Sequence, residues 1–464
     1  MKRMVKFLSC LLAVMLLTGC AAQGNTAVEG STEDGALTTQ NASSETGNQN
    51  KQLRFLDVNP GTLRTAYFED MFAKFEAETG IEVIYESVPL DDCANKITIL
   101  GTSNTLPDVI TVMDSLLGQL IPAGWVIPLD DYINDSREEY VDVINKVIFE
   151  QQEDQYGNLY TVPDGVMVQG VFVRRDWCED IGYELNYDWN YDEYFKLVEM
   201  LTDEEQNHYG IAFRGGRNGI NPFLYYLETF NSGRSYDEEG NSILLNNDTP
   251  GHFEDFCIPY MEGWAPKDAI NWSFAEMVDN FVGGLAGTLL NDSEVAATLN
   301  ENMEAEQWTV LPVPRSTADG KLYNYVNCPY SYAITDDSEY PEEAWQLIEF
   351  LQRPENNMEY CRAAGTCPVK KDVGDDPDYG PGGIYEMFVR QLNDPDLVIP
   401  CGWGAFDFTD MQQGTFHEEM QKYLLGEKSA EDVMTELGTE LTNRMKQYLE
   451  DNPGTEVQKP MAVN

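Results

Sequence analysis

The chain has 464 residues, too many for one small core, so two lobes or domains are expected. Its 80 Asp and Glu outnumber 29 Lys and Arg, for a formal net charge of −51. That excess excludes a nucleic-acid role, because phosphate contact needs a basic surface. It also argues against a highly anionic ligand, although a local pocket can oppose the global field.

In chain order, Lys2, Arg3 and Lys6 precede an apolar stretch at 7–17, and Leu17-Thr-Gly-Cys20 closes the segment. The stretch falls well short of the roughly 20 apolar residues a membrane span needs, so residues 1–19 read as a signal peptide. Leu-Thr-Gly-Cys resembles a bacterial lipobox, which implies cleavage before Cys20 and a lipid on its thiol. Residues 20–50 are rich in Gly, Ser, Thr, Asn and Gln, a composition expected to stay disordered as a tether between the membrane and the rest of the chain.

Folded structure is expected from 53 onward. A strand at 53–58 breaks at Asn59-Pro60-Gly61, and Phe68, Met71, Phe72 and Phe75 then recur at helical spacing until Gly80. A strand at 81–85, a helix near 92–100 and an almost wholly apolar strand at 108–113 follow. This alternation predicts a parallel sheet covered by helices, with ligands bound beyond the carboxyl ends of its strands. Asn59 and Asp114 stand there; Asp114 can equally cap the helix that starts near Ser115.

Further on, 168–173 reads as an apolar strand, 191–201 as a helix and 208–213 as a strand. The loop Arg214-Gly-Gly-Arg-Asn-Gly219 lacks the Gly-Lys-Ser/Thr end of a phosphate-binding loop and reads as a strand-edge loop. Phe223, Leu224, Leu227 and Phe230 share one helical face, and 236–243 has the turn residues of a hairpin. Pro341 opens a helix to 351, 372–383 is a loop, and Ser429 caps a long closing helix.

Several of these segments carry a family resemblance. Phe75-Glu-Ala-Glu-Thr-Gly-Ile-Glu-Val83, Leu106-Pro-Asp-Val109 and Ala123-Gly-Trp-Val-Ile-Pro-Leu-Asp-Asp-Tyr132 resemble the start of the family 1 extracellular solute-binding proteins, the receptor subunits of sugar ABC importers. Tyr156-Gly-Asn-Leu-Tyr-Thr-Val-Pro163, Phe281-Val-Gly-Gly-Leu-Ala-Gly287, Trp308-Thr-Val-Leu-Pro-Val-Pro314, the helix at 341–351 and the closing helix extend it over about 55–450. Val173 and Arg174 stand where the family normally has Tyr-Asn, and Leu285 and Gly287 depart from its Lys and second Ala.

The resemblance implies an α/β, two-lobe periplasmic-binding-protein-like fold of type II, with the ligand cleft between lobes joined by a hinge. Lobe 1 is expected from 53–163 and 312–371, and lobe 2 from 164–311 and 372–452. It implies a lipid-anchored receptor on the extracellular face of a bacterial membrane. That receptor passes a small solute, here an oligosaccharide, to permease subunits and their ATPase, with no cofactor and as a monomer. A glycan-capturing surface protein without transport, or a receptor for another solute such as a peptide, are the alternatives.

Enzyme motifs are missing from the sequence. The three His are far apart, and there is no Gly-x-Ser-x-Gly, dinucleotide glycine motif or Cys-x-x-Cys. Of the seven cysteines beyond Cys20, only Cys361 and Cys367 lie near each other, and whether they pair is open. A sugar site needs planar polar side chains for hydroxyls and flat aromatic rings for C–H faces. The candidates at expected lobe-edge loops are Asn59, Asp114, Asp164, Arg214, Trp272, Asn291, Asp292, Asn327, Tyr330 and Trp403. By resemblance, Asn291 and Asp292 occupy a ligand-facing position, and the family places an aromatic platform late in the chain, where Trp403 sits in a Gly-Trp-Gly loop expected to be exposed.

Overall fold

The first apolar run forms a strand whose Leu53, Phe55 and Leu56 are fully buried. In the computed structural model, residues 51–464 are described, apart from 134, 135, 404, 405, 407, 409 and 464 and the side chains at 91, 114, 115 and 413. The expected signal peptide, Cys20 and the tether lie outside the described residues.

The strands, labelled in chain order, are β1 (Gln52–Asp57), β2 (Glu82–Ser87), β3 (Val109–Val112), β4 (Val162–Pro163), β5 (Met167–Arg174), β6 (Thr288–Asp292), β7 (Trp308–Pro312), β8 (Leu322–Tyr323), β9 (Val326–Asn327), β10 (Ser331–Ile334), β11 (Leu397–Ile399) and β12 (Met461–Ala462). A first sheet has the order β2-β1-β3-β10-β4. Its β1 runs parallel to β2 and β3, as the helix-strand alternation predicts, while β10 lies antiparallel between β3 and β4. The helix Thr62–Thr79 crosses this sheet with Phe68 and Phe72 inward, their rings 4.8 and 5.0 Å from that of Phe55. Gly80, at φ 75°, ends the helix in the left-handed position that glycine adopts without strain.

The second sheet is built around β5, flanked antiparallel by β6 and β7. All its residues but Met167 are buried, as a strand covered on both faces requires. After β7 the chain stays beside this sheet: β8 pairs with β11, β9 pairs with β5, and only β10 rejoins the first sheet.

Three passages therefore join the sheets. Residues 164–166 and 328–330 run side by side, and Asp164 N donates to Tyr330 O at 3.1 Å. The third leaves the helix Pro354–Ala364, which packs on Thr62–Thr79, and reaches the helix Glu386–Leu392, which packs on β5 and β7. Val166 and Cys367 exchange both backbone hydrogen bonds on its way, at 2.9 and 2.7 Å.

Two expected elements are weaker than their residues suggest. The strand expected at 208–213 is an extended segment holding only single bridges, Asp203 to His208 and Tyr209 to Ala286. A Cβ at Gly210 would lie 1.7 Å from the Val198 carbonyl oxygen, so packing against the preceding helix holds the segment where a regular ladder does not form. The hairpin at 236–243 shrinks to one bridge, Tyr236 to Ser242, around a turn tied by the Asp237 carboxylate.

The two sheets approach closely at Gly365, which has φ 68° at the end of Pro354–Ala364. Ser293 Oγ donates to Gly365 O at 3.0 Å, and a Cβ there would meet Glu294 Cα at 2.7 Å. Gly365→Ala should therefore cost about 2–4 kcal/mol, from left-handed backbone strain plus overpacking. Urea unfolding checks this, with a lowered midpoint at unchanged slope as the expected outcome.

Candidate ligand-binding site

The first wall of the site begins where β1 ends. Asp57 is fully buried there and accepts hydrogen bonds from Arg64 Nε (3.0 Å), Tyr85 OH (2.9 Å), Thr111 Oγ1 (3.3 Å) and Asn59 N (3.2 Å). Arg64 lies in the first turn after the break and falls in phase with Phe68 and Phe72, so the helix carries it inward. Its Nη1 donates to Asp164 Oδ2 at 3.2 Å and to Tyr360 OH, and Tyr360 OH donates to the same Asp164 oxygen at 2.5 Å. The guanidinium lies 4.9 Å from the Tyr330 ring centre and 5.1 Å from those of Tyr360 and Phe68. Arg64 Nη2 is buried and has no hydrogen-bond partner among the described residues.

The electrostatics follow from one cation facing two acids. Burial works against the charge of Arg64, but Tyr360, Asp164 and Asp57 together hold it well above the usual arginine value. Burial pushes the Asp164 carboxyl up to about 6, with Arg64 and Tyr360 pulling it back.

Beside this cluster lies a cavity of about 460 Å³, within the usual range for small-molecule sites. Asn59, Gly61, Arg64, Tyr330 and Tyr360 line it from the first sheet, and Met167 and Glu294 from the second. The first turn of Thr62–Thr79 also borders it, and no side chain caps that helix.

The second wall gathers around Asp292, the last residue of β6. Gln169 stands opposite Asp292 in the ladder and hydrogen-bonds to its carboxyl. Burial raises that carboxyl, while Gln169 and the positive charge of Arg214 lower it in part. Arg214 is itself lowered by burial, against the pull of Tyr225 and Asp292, and its Nε donates to Arg217 O at 2.9 Å. The rings of Tyr225 and Tyr325 meet at 4.0 Å beside this pair.

Of the residues singled out in the sequence, Asn59 and Tyr330 line the cavity, and Arg214 and Asp292 come together on the second wall. Asn291 is 8 % exposed, and its Oδ1 accepts from Asp292 N at 2.8 Å, so it braces the strand end. Asn327 is exposed on β9 opposite Met167. Asp114 begins the helix Asp114–Ala123, and its side chain lies outside the description.

Three candidates are placed differently from expectation. Asp164 is fully buried behind the cavity, held by Arg64 and Tyr360 rather than presented at a lobe edge. Trp272 is buried beneath the Arg214 loop, where its carbonyl accepts from Gly216 N and its Nε1 donates to Asp268 Oδ2 at 3.3 Å. Trp403, expected as an exposed platform, is 4 % exposed and packs on Tyr236 with ring centres 5.7 Å apart.

Sequence reasoning missed Arg64, Tyr225, Glu294, Tyr325 and Tyr360. For Arg64 the signal was present, as a charged residue in register with an apolar helical stripe. Cys361 and Cys367, left open as a pair, are both free, buried thiols.

Two α/β sheets joined by three passages, with a polar and aromatic cavity between them, define a two-lobe binding protein. The chain belongs to the bacterial extracellular solute-binding protein family, whose pattern it matches over residues 59–358. It is 21% identical to the maltotriose-binding protein of Pyrococcus abyssi over 362 residues, covering 74% of each chain. Its fold is similar to that of the sugar-binding protein MalE from Xanthomonas citri, with a TM-score of 0.69, 16% identity and coverage of 87% and 100% of the two chains. Maltose-bound MalE3 of T. maritima gives 0.64 at 17% identity, with coverage of 85% and 99%. Among the described residues no helix is long and apolar enough to cross a membrane.

Removing Arg64 would strand two buried carboxylates. Arg64→Met should destabilise the protein by about 3–5 kcal/mol. Chemical denaturation at pH 7 checks this, and a loss below 1 kcal/mol would show that the cluster is not held together by its cation.

Proposed function

We propose that this chain is the solute-capturing receptor of an ABC importer and that its ligand is an oligosaccharide, bound between the lobes without chemical change. The observation that carries the reading is the cavity between the two sheets. It joins an amide (Asn59), a guanidinium (Arg64), a carboxylate (Glu294) and the flat ring of Tyr330. Hydroxyls need such mixed donors and acceptors, and sugar C–H faces need the ring. The maltotriose-binding relative and the maltose-bound structural neighbour support a sugar of this kind.

The sequence assigns 53–163 with 312–371 to lobe 1 and 164–311 with 372–452 to lobe 2, and the strand pairs support moving 312–327 to lobe 2. Strand pairing favours setting the return passage at 328–330, just before β10. Ligand between the lobes shifts the population toward a closed state, which the permease subunits and their ATPase distinguish from the empty receptor. Cys20 carries the lipid that holds the receptor on the outer face of the membrane, and residues 21–50 give it reach.

A thermal-shift screen of residues 51–464 against mono- and oligosaccharides tests the ligand class. A sugar at a hundred times its Kd should add about 2.7 kcal/mol of stability. Tyr330→Ala and Asn59→Ala should each weaken that sugar by about fivefold, or about 1 kcal/mol per lost contact. No shift with any glycan would sink the sugar assignment, and full affinity in both variants would place the ligand elsewhere.

A further inference from the structure

Glu228 is fully buried on the helix Asn221–Phe230, in step with Leu224 four residues earlier. Among the described residues no Lys or Arg forms an ion pair with it. Its Oε1 meets Ser235 Oγ, and its Oε2 accepts from Tyr325 OH. Ser235 Oγ also lies 2.6 Å from the carbonyl oxygen of Gly402.

A serine hydroxyl has one proton, and a backbone carbonyl can only accept. Ser235 therefore donates to Gly402 O, and its contact with Glu228 needs a proton from the acid. The Cys401 thiol does not alter this count: its Sγ is 3.9 Å from Ser235 Oγ and donates to Gly233 O at 3.1 Å.

We propose that Glu228 is a neutral, protonated acid in the folded protein and acts as a positioning residue, fixing Tyr325 against Tyr225 in the second wall of the cleft and tying the chain at 401–403 to the helix. The part of this that concerns ligand rests on the proposed solute-binding reading; the protonation itself does not. Among the described residues, every ionisable group facing Glu228 fits a neutral acid. Tyr225 comes from its own helix, Tyr236 from the turn after it, Tyr325 from between β8 and β9, and Cys401 from the loop after β11. Asp292 and Arg214 act on Tyr225, and Arg444 acts on Tyr236. Burial pushes the Glu228 carboxyl up to about 8, with the Tyr325 hydrogen bond pulling back.

The folded acid keeps its proton up to about pH 8, whereas the unfolded one loses it near the ordinary glutamate value of 4.5. The stability it contributes is complete below that lower value and is lost as pH rises toward 8. Ionising Glu228 turns the Ser235 proton toward the carboxylate and releases Gly402 O.

Wild type and E228Q are compared in the mature chain from pH 4 to 9. The amide of Gln can donate to Ser235 and accept from Tyr325, so it reproduces the neutral acid at any pH. The wild-type folding constant, taken relative to E228Q, should fall by up to about tenfold per pH unit between 4.5 and about 8, then level off. Asp164 and other acids are common to both proteins and cancel. A flat ratio overturns the proposal.

Infrared difference spectra of wild type alone should show a protonated-carboxyl C=O band at pH 7 that shifts in D2O and titrates near pH 8. Absence of the band overturns the proposal even if E228Q does not fold. With a bound glycan in hand, wild-type affinity should drop above pH 8 while E228Q holds; an identical decline in both removes the positioning role. If no glycan binds, the sugar reading has failed, and the stability ratio and the infrared band still decide the protonation.

Discussion

One buried guanidinium organises the junction of the two sheets. Arg64 joins the end of β1 through Asp57, the first passage through Asp164 and the helix Pro354–Ala364 through Tyr360. These segments are remote in sequence, and the charge they surround is a contact that all three share. Buried ions are costly, and this one is held by hydrogen bonds to Asp57, Asp164 Oδ2 and Tyr360 and by the aromatic rings around it, while Asp164 Oδ1 is buried without a partner among the described residues. The unpartnered Nη2 and the uncapped helix start leave donors beside the cavity. The same group that fixes the junction therefore also borders the place where a ligand's oxygens would sit.

Much of this was legible in the sequence, for reasons that differ by element. The first lobe's strands and helix followed from apolar spacing, since Phe68, Met71, Phe72 and Phe75 have no other way to share a face. Asn59 and Tyr330 were accessible because ligands collect where strands end. The buried Arg64 and Glu228 were readable in principle, each in phase with its helix's apolar stripe, because a charge at such a position must find a partner or give up its charge. What the sequence does not carry is which distant residue provides the cover. Gly402 before Trp403 speaks to backbone freedom and not to exposure, and Tyr236, more than 160 residues earlier, closes over the indole. Trp272 is similar, covered by a loop whose own course depends on the Ala269 and Trp272 carbonyls.

The two walls differ in how they treat charge. The first keeps a cation by surrounding it with two carboxylates and three rings. The second keeps acids by burying them beside hydroxyls and amides: Gln169 holds Asp292, while Ser235 and Tyr325 hold Glu228. A chain with so large an excess of acids cannot give each buried one a cation, and neutral hydrogen-bonding groups do most of the work instead. Behind the second wall, Asn324 and Gln391 continue this pattern, donating to Gln169 O at 2.9 and 3.0 Å and joining β5, the β8–β9 segment and the helix Glu386–Leu392 without a single charge.

The passages at 164–166 and 328–330 are short, run alongside each other and are hydrogen-bonded together, with Cys367 fastened to their flank. Links of that length favour bending of the two sheets about the passages over sliding of one past the other. Displacement in such a device grows with distance from the pivot. A closure would therefore move residues beside Arg64 least and the far rims most, so that the cavity is the short arm of a lever and the outer surface its long arm.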